Sequence, residues 1–293
     1  MDLAAEVGGG VRIAALLLSC LALPAPAATW YLTISGLGGE ADYEQRFKMW
    51  AEDIGKTTNS QVLVAPKREA VRARFAELAK QVKPDDAFVL MLIGHGTFDG
   101  TEYKFNLPGP DITAAELATL LDRLPATRQL VVNMTSSSGG SADLLKKLTR
   151  VVITVTKSGT EKNATVFARY WAEALHDPAA DTDKNETVTA QEAFTYAQKK
   201  TAQFYESNKR LATEHAQLDD TRLAAVFPVL RIGADAVAAQ DPAKRGLLEK
   251  KERIEQQIDK LKYEKAAVPE AEYKKQLTAL LLELARTQEA LEK

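Results

Sequence analysis

The chain has 293 residues, 45% of them hydrophobic and 27% charged, with a formal net charge of −2. That length supports one substantial core plus an accessory segment, and eight Tyr and nine Phe exclude a largely disordered chain. The balanced charge offers no basic field, so neither nucleic acid nor an anionic membrane is expected as a partner.

Residues 13–23 are a continuous apolar run behind Arg12, followed by Pro24 and Ala25-Pro26-Ala27. Such a run is too short to anchor stably in a bilayer, and Ala-x-Ala suits a signal peptidase. A cleaved secretory signal is therefore expected over 1–27, giving a periplasmic or extracellular mature chain with no membrane span. Leu17-Leu18-Ser19-Cys20 resembles a lipoprotein cleavage box, but Leu18 fits it poorly, which makes lipidation at Cys20 the lesser alternative. Cys20 is the only cysteine, so the mature chain holds no thiol nucleophile, no disulfide and no thiolate metal site.

From Ala28 strands alternate with helices. Thr29–Ser35 reads as a strand, 43–54 as an amphipathic helix, 61–65 as a second strand and 69–81 as a second helix. Residues 86–93 (DAFVLMLI) are almost wholly apolar, as in a strand buried on both faces. A helix is expected over 113–124, with Asp111 or Thr113 as its cap. Short strands follow at 129–134 and 151–156, with 142–148 helical between them. Two longer helices are placed at 164–175 and 190–206, and a strand at 224–229. This order predicts a mostly parallel sheet between helical layers over 28–235. The alanine-rich stretch Gly233–Gln240 and Asp241-Pro242 read as a boundary. Over 241–293 composition shifts to Glu, Lys, Leu, Ala and Gln. Leu247, Ile254, Ile258 and Leu261, then Leu277, Leu280, Leu284 and Leu291, trace two apolar seams. They predict an antiparallel coiled-coil hairpin that packs on the domain or pairs with a second copy.

Ligands of open α/β sheets gather at the carboxyl ends of the strands. The first strand leads into Gly36-Leu37-Gly38-Gly39-Glu40-Ala41, which is a weak dinucleotide pattern. No acidic residue ends the second strand, so a plain tight turn is the better reading. The strand over 86–93 ends Gly94-His95-Gly96, which puts a histidine at the sheet rim with open backbone on both sides. The next strand ends Asn133-Met134-Thr135-Ser136-Ser137-Ser138-Gly139-Gly140, which offers an anion-binding turn, a hydroxyl nucleophile for His95, or an inert loop.

These residues, in this order, resemble the caspase-like and legumain-like peptidases, especially bacterial exported legumain-related proteins, over roughly 29–232. The resemblance implies a three-layer caspase-like α/β fold with His95 at the position of the general base. In that family the second motif reads acidic–Ala–Cys–x–Ser–Gly. Asn133, Met134 and Thr135 fall on its first three positions and Ser137 on its Ser, so Thr135 stands where the family has its nucleophilic Cys. A hydroxyl is a far weaker nucleophile than a thiolate and needs a well-placed base. The first expectation is therefore a pseudopeptidase that binds a protein or peptide through the vestigial site (Gly94, His95, Gly96, Asn133, Thr135, Ser136, Ser137, Ser138, Gly139) or through the coiled coil. The alternative is a hydrolase using Thr135 or one of the serines Ser136, Ser137 and Ser138 with His95.

A second alternative comes from residues 181–192, DTDKNETVTAQE. Asp181, Asp183 and Asn185 occupy the first ligand positions of a twelve-residue calcium loop, Thr187 offers its carbonyl, and Glu192 closes it. Glu186 stands where glycine usually makes the turn, and an Asx turn before the helix near Thr189 explains the same residues. Any Ca2+ site here is expected to be weak. His176 and His215 read as surface residues.

Overall fold

The computed structural model describes residues 28–241 and 243–293; the expected signal segment 1–27, Cys20 included, lies outside the described residues. The body runs β1 (Thr29–Ser35), α1 (Ala41–Thr58), β2 (Gln61–Val64), α2 (Arg68–Gln81), β3 (Ala87–Gly94), β4 (Gly96–Phe98), β5 (Tyr103–Phe105), β6 (Ile112–Thr113), α3 (Ala114–Asp122) and β7 (Arg128–Thr135). It continues with α4 (Ala142–Leu145), β8 (Arg150–Thr154), α5 (Phe167–Ala174), β9 (Thr187–Thr189), α6 (Ala190–Ser207), β10 (Gln217–Leu218), α7 (Thr221–Ala225), β11 (Pro228–Arg231) and α8 (Gly233–Gln240). Two long helices, α9 (Arg245–Tyr263) and α10 (Glu270–Glu292), end the chain.

The six-stranded sheet has the order β10-β8-β7-β3-β1-β2 and is parallel except for β10 at one edge. Successive side chains of a strand point to opposite faces, so β3 feeds two cores at once. Val89, Met91 and Ile93 pack against Phe47 and Ile54 of α1 and against Phe167 and Trp171 of α5. Phe88, Leu90 and Leu92 pack against Phe75 of α2, Leu117 of α3, and Tyr103 and Phe105 of β5. The molecule is thus a three-layer α/β domain, as expected.

Several boundaries differ from the sequence reading for local reasons. The helix expected over 142–148 ends at Leu145, because the buried Arg150 guanidinium takes the Leu145 carbonyl (2.9 Å) and Lys146 turns extended. The helix expected from 164 starts at Phe167, where the Glu214 carboxylate accepts the amides of Val166 and Phe167. Residues 224–229 are not one strand: Asp220 accepts the amides of Arg222 and Leu223 and starts α7, and β11 follows, paired with β9. The alanine-rich segment expected as a boundary is helix α8. Thr113, not Asp111, caps α3 by accepting the Glu116 amide (3.1 Å), and Asp111 instead holds the Leu107 amide.

Helices α9 and α10 form an antiparallel hairpin, tied by Lys244 to the Leu291 carbonyl at one end and by Lys250 to Glu283 further along. The hairpin docks on the body through α9. Arg231 pairs with Glu252 (2.7 Å), and Lys251 reaches both Asp235 (2.6 Å) and the Asn185 carbonyl (3.0 Å). Ile254, Ile258 and Leu261 are buried, whereas Leu281 and Leu282 of α10 remain 48% and 55% exposed.

Candidate functional site

The carboxyl ends of β3 and β7 lie side by side, with Gly94 opposite Thr135. Alternation places His95 on the face of Met91 and Ile93, and Thr135 on the face of Val131. The contacts agree. The His95 ring stands edge-on to Tyr43 (4.9 Å) and Phe47 (5.1 Å) of α1. Burial there lowers its pKa from the usual histidine value, against smaller opposing effects of the Gly38 carbonyl and the Glu40 charge.

Thr135 faces the other way and is fully buried. Its hydroxyl lies 2.6 Å from the Tyr103 phenol and donates to Asn133 Oδ1 (2.8 Å), while Asn133 Nδ2 donates to Ser141. Burial pushes the Tyr103 phenol up to about 12. The expectation that Thr135 occupies the nucleophile position beside His95 is therefore corrected: the two side chains belong to opposite faces of one sheet.

Continuing the β3–β7 register one step brings Ser136 level with His95. The Ser136 hydroxyl is engaged twice with one residue, accepting from the Gly96 amide (3.0 Å) and donating to the Gly96 carbonyl (3.1 Å). Only glycine fits at 96, since a Cβ there would stand 2.5 Å from the Ser136 carbonyl and 2.6 Å from the Tyr103 ring.

The rest of the loop is closed by its own hydrogen bonds. Ser137 takes a left-handed φ of 56° and its buried hydroxyl has no partner among the described residues. Ser138 Oγ accepts the amides of Val155 and Thr156. The amides of Ser137, Gly139 and Gly140 already donate, to the Glu161 carbonyl, Thr156 Oγ1 and the Ser137 carbonyl. The anion-binding turn read from the sequence lacks those donors. Glu161, whose carbonyl holds Ser137, is itself fixed by His215. His176 sits elsewhere, against Asp53 and Thr57 of α1, so the two histidines do not converge. Tyr43, which touches the His95 ring, also lines a cavity of about 370 Å3 between α1 and α6, together with Arg46, Trp50, Thr165, Phe204 and Arg210 among others.

The second candidate is the loop over 181–192. Oxygens of Asp181, Asp183 and Glu192 lie within 4.8 Å of one another. Asp181 accepts the amides of Asn185 and Glu186, and Asn185 Oδ1 accepts that of Thr187, so the Asx-turn reading is realised here. Glu192 and Thr189 form a reciprocal capping box at the start of α6. Burial, followed by the Glu192 charge, pushes Asp183 up to about 6. Glu186 adopts the left-handed φ of 67° that the turn requires. Its carboxylate is held by the Asp235 amide (3.1 Å) at the start of α8, where a Cβ on Gly233 would collide with it.

The chain matches no family model and no curated protein. Solved structures similar to it include a Geobacter sulfurreducens protein at 11% identity and a TM-score of 0.44, covering 72% of this chain and 96% of that one. The caspases drICE and Dronc, the latter a Drosophila initiator caspase, match at 9% identity each. For drICE the TM-score is 0.42, with 66% of this chain and 87% of that chain covered. For Dronc it is 0.41, with 69% and 81% covered. Among the described residues no helix is long and apolar enough to cross a membrane.

Proposed function

We propose that the chain is an exported pseudopeptidase of caspase-like and legumain-like descent, which binds a protein or peptide and does not cleave it. The observation that carries this reading is the separation of base from hydroxyl. His95 is wedged against Tyr43 and Phe47, while Thr135 is locked to Tyr103 and Asn133 on the opposite face. A hydroxyl attacks only when a base within hydrogen-bond reach removes its proton. None of the hydrogen bonds made by Thr135, Ser136 or Ser138 involves the His95 ring. No cysteine follows Cys20 to supply a thiolate instead.

The cavity beside Tyr43 is the place for a bound segment, with two arginines to meet its carbonyls or carboxylates. The exposed Leu281 and Leu282 of α10 offer a second docking surface, for a partner or another copy of the chain. The hydrolase reading keeps one point in its favour, the position of Ser136 level with His95. It requires Ser136 to leave Gly96 and His95 to turn out of its aromatic slot.

The test is turnover of a mixed fluorogenic peptide library by the purified protein and by His95→Ala, with and without calcium. Neither protein is expected to cleave. Cleavage that disappears in His95→Ala overturns the proposal and points to Ser136 or a neighbouring hydroxyl as the nucleophile.

A further inference from the structure

We propose that the loop over 181–192 binds one Ca2+ ion in the cavity it shares with α9, so that the ion fastens the C-terminal hairpin to the α/β body. The carboxylates of Asp181, Asp183 and Glu192 already converge. Beside them lies a cavity of about 380 Å3, walled on one side by Asp183, Asn185, Thr187 and Glu192 and on the other by residues of α9. The α9 wall contributes Glu252, Glu255 and Asp259, and among the described residues no lysine or arginine lines the cavity. Glu252 is paired with Arg231 and Asp259 with Lys262. Lys251, 4.0 Å from Glu255, is bound to Asp235. The α9 carboxylates are thus at least partly balanced, whereas among the described residues none of the loop carboxylates Asp181, Asp183 and Glu192 has an ion-pair partner.

An independent observation comes from Thr187. It is only 4% exposed, yet among the described residues its hydroxyl has no hydrogen-bond partner. Val188 faces the core, so the side chains on either side of it in β9 face away from the core. The hydroxyl of Thr189, on that same side, contacts Glu192 (2.9 Å), and Thr187 lines the cavity with it. A buried hydroxyl without a partner is costly, and a hydrated cation in the cavity supplies one. Oxygen-only ligands and a carboxylate count of this size select a hard cation, and the open, irregular cage suits Ca2+ better than the strict octahedron of Mg2+.

The structure also explains why glycine is dispensable at the turn. Glu186 holds the left-handed conformation because its carboxylate is fastened to the first turn of α8. Lys251 of α9 donates to the Asn185 carbonyl from outside, so loop and hairpin are already joined at one point.

The experiment is calorimetric titration of the purified, chelator-treated protein with CaCl2, and with MgCl2 for comparison, alongside hydrogen exchange of α9. Expected are one saturable site with a dissociation constant of about 10−4 to 10−3 M, weaker heat with magnesium, and slower exchange in α9 when calcium is bound. Asp183→Asn leaves the Glu192 capping box intact and is expected to weaken binding about tenfold or more. Glu255→Gln, which removes no hydrogen bond of the fold, is expected to weaken it too. Absence of heat well above that concentration range overturns the proposal, as does binding undiminished in Asp183→Asn. Calcium binding with unchanged α9 exchange, or with full affinity in Glu255→Gln, overturns the fastening role.

Discussion

Among the contacts that dock the hairpin, one buried ion pair has a removal cost that can be calculated. Lys251 and Asp235 meet at 2.6 Å with each side chain only 7% exposed, so solvent screens the pair little. In Lys251→Met the Asp235 carboxylate keeps its burial and loses its cation, and the Asn185 carbonyl loses a 3.0 Å donor. Breaking a buried pair by deleting one partner costs about 3–5 kcal/mol, mostly because the surviving charge is stranded. Replacing both partners by apolar residues of similar size removes that stranded charge and is often near neutral. Lys251→Met is therefore expected to lower urea stability by about 3–5 kcal/mol, and the double variant Lys251→Met/Asp235→Leu to recover most of it. Exchange of the α9 amides localises the effect. A single-variant loss below about 1 kcal/mol, the range of solvent-exposed pairs, refutes the reasoning. So does a double variant as unstable as the single one.

Two further outcomes follow from buried groups. Burial raises Glu214 from 4.5 to about 6, against the amides of Val166 and Phe167 and the Tyr205 phenol, which favour the charged form. The folded state thus binds the proton more tightly than the unfolded chain. Its contribution is complete below pH 4.5 and disappears as pH rises through about 6, a change of about 2 kcal/mol. Glu214→Gln should flatten that part of the pH–stability curve; an unchanged slope contradicts the assignment. Thr135→Val removes a buried hydroxyl from the Tyr103–Asn133 network and is expected to cost about 1–3 kcal/mol in thermal or urea unfolding. A fully stable variant would mean that Thr135 is not the structural tie described.

Much of the architecture was written in local pattern. The apolar run that became β3 is buried throughout, and its position between two helical layers follows from having no polar face. Thr113 acts as a cap as its spacing to Glu116 suggests. What the sequence hid was set by distant partners. Glu214 starts α5 from 47 residues away, and Arg150 stops α4 by taking a carbonyl. The three-stranded sheet β4-β5-β6 was overlooked, although Asp99-Gly100 between Thr97-Phe98 and Tyr103-Lys104-Phe105 carries a turn signal, realised by Asp99 accepting two amides. The placement of His95 and Thr135 on opposite faces was not legible from their spacing. Counting alternation inward, from Ile93 to His95 and from Val131 to Thr135, would have put these side chains on opposite faces had the relative register of the two parallel strands been known.

The central claim, that His95 has no hydroxyl to activate, is tested most directly without any choice of peptide. The purified protein is incubated with a fluorophosphonate, which phosphonylates activated serine or threonine hydroxyls, and its intact mass is measured beside that of His95→Ala. The arrangement of His95, Thr135 and Ser136 predicts no adduct on either protein. An adduct that maps to Ser136 or a neighbouring hydroxyl and disappears in His95→Ala would contradict it and show a working nucleophile–base pair.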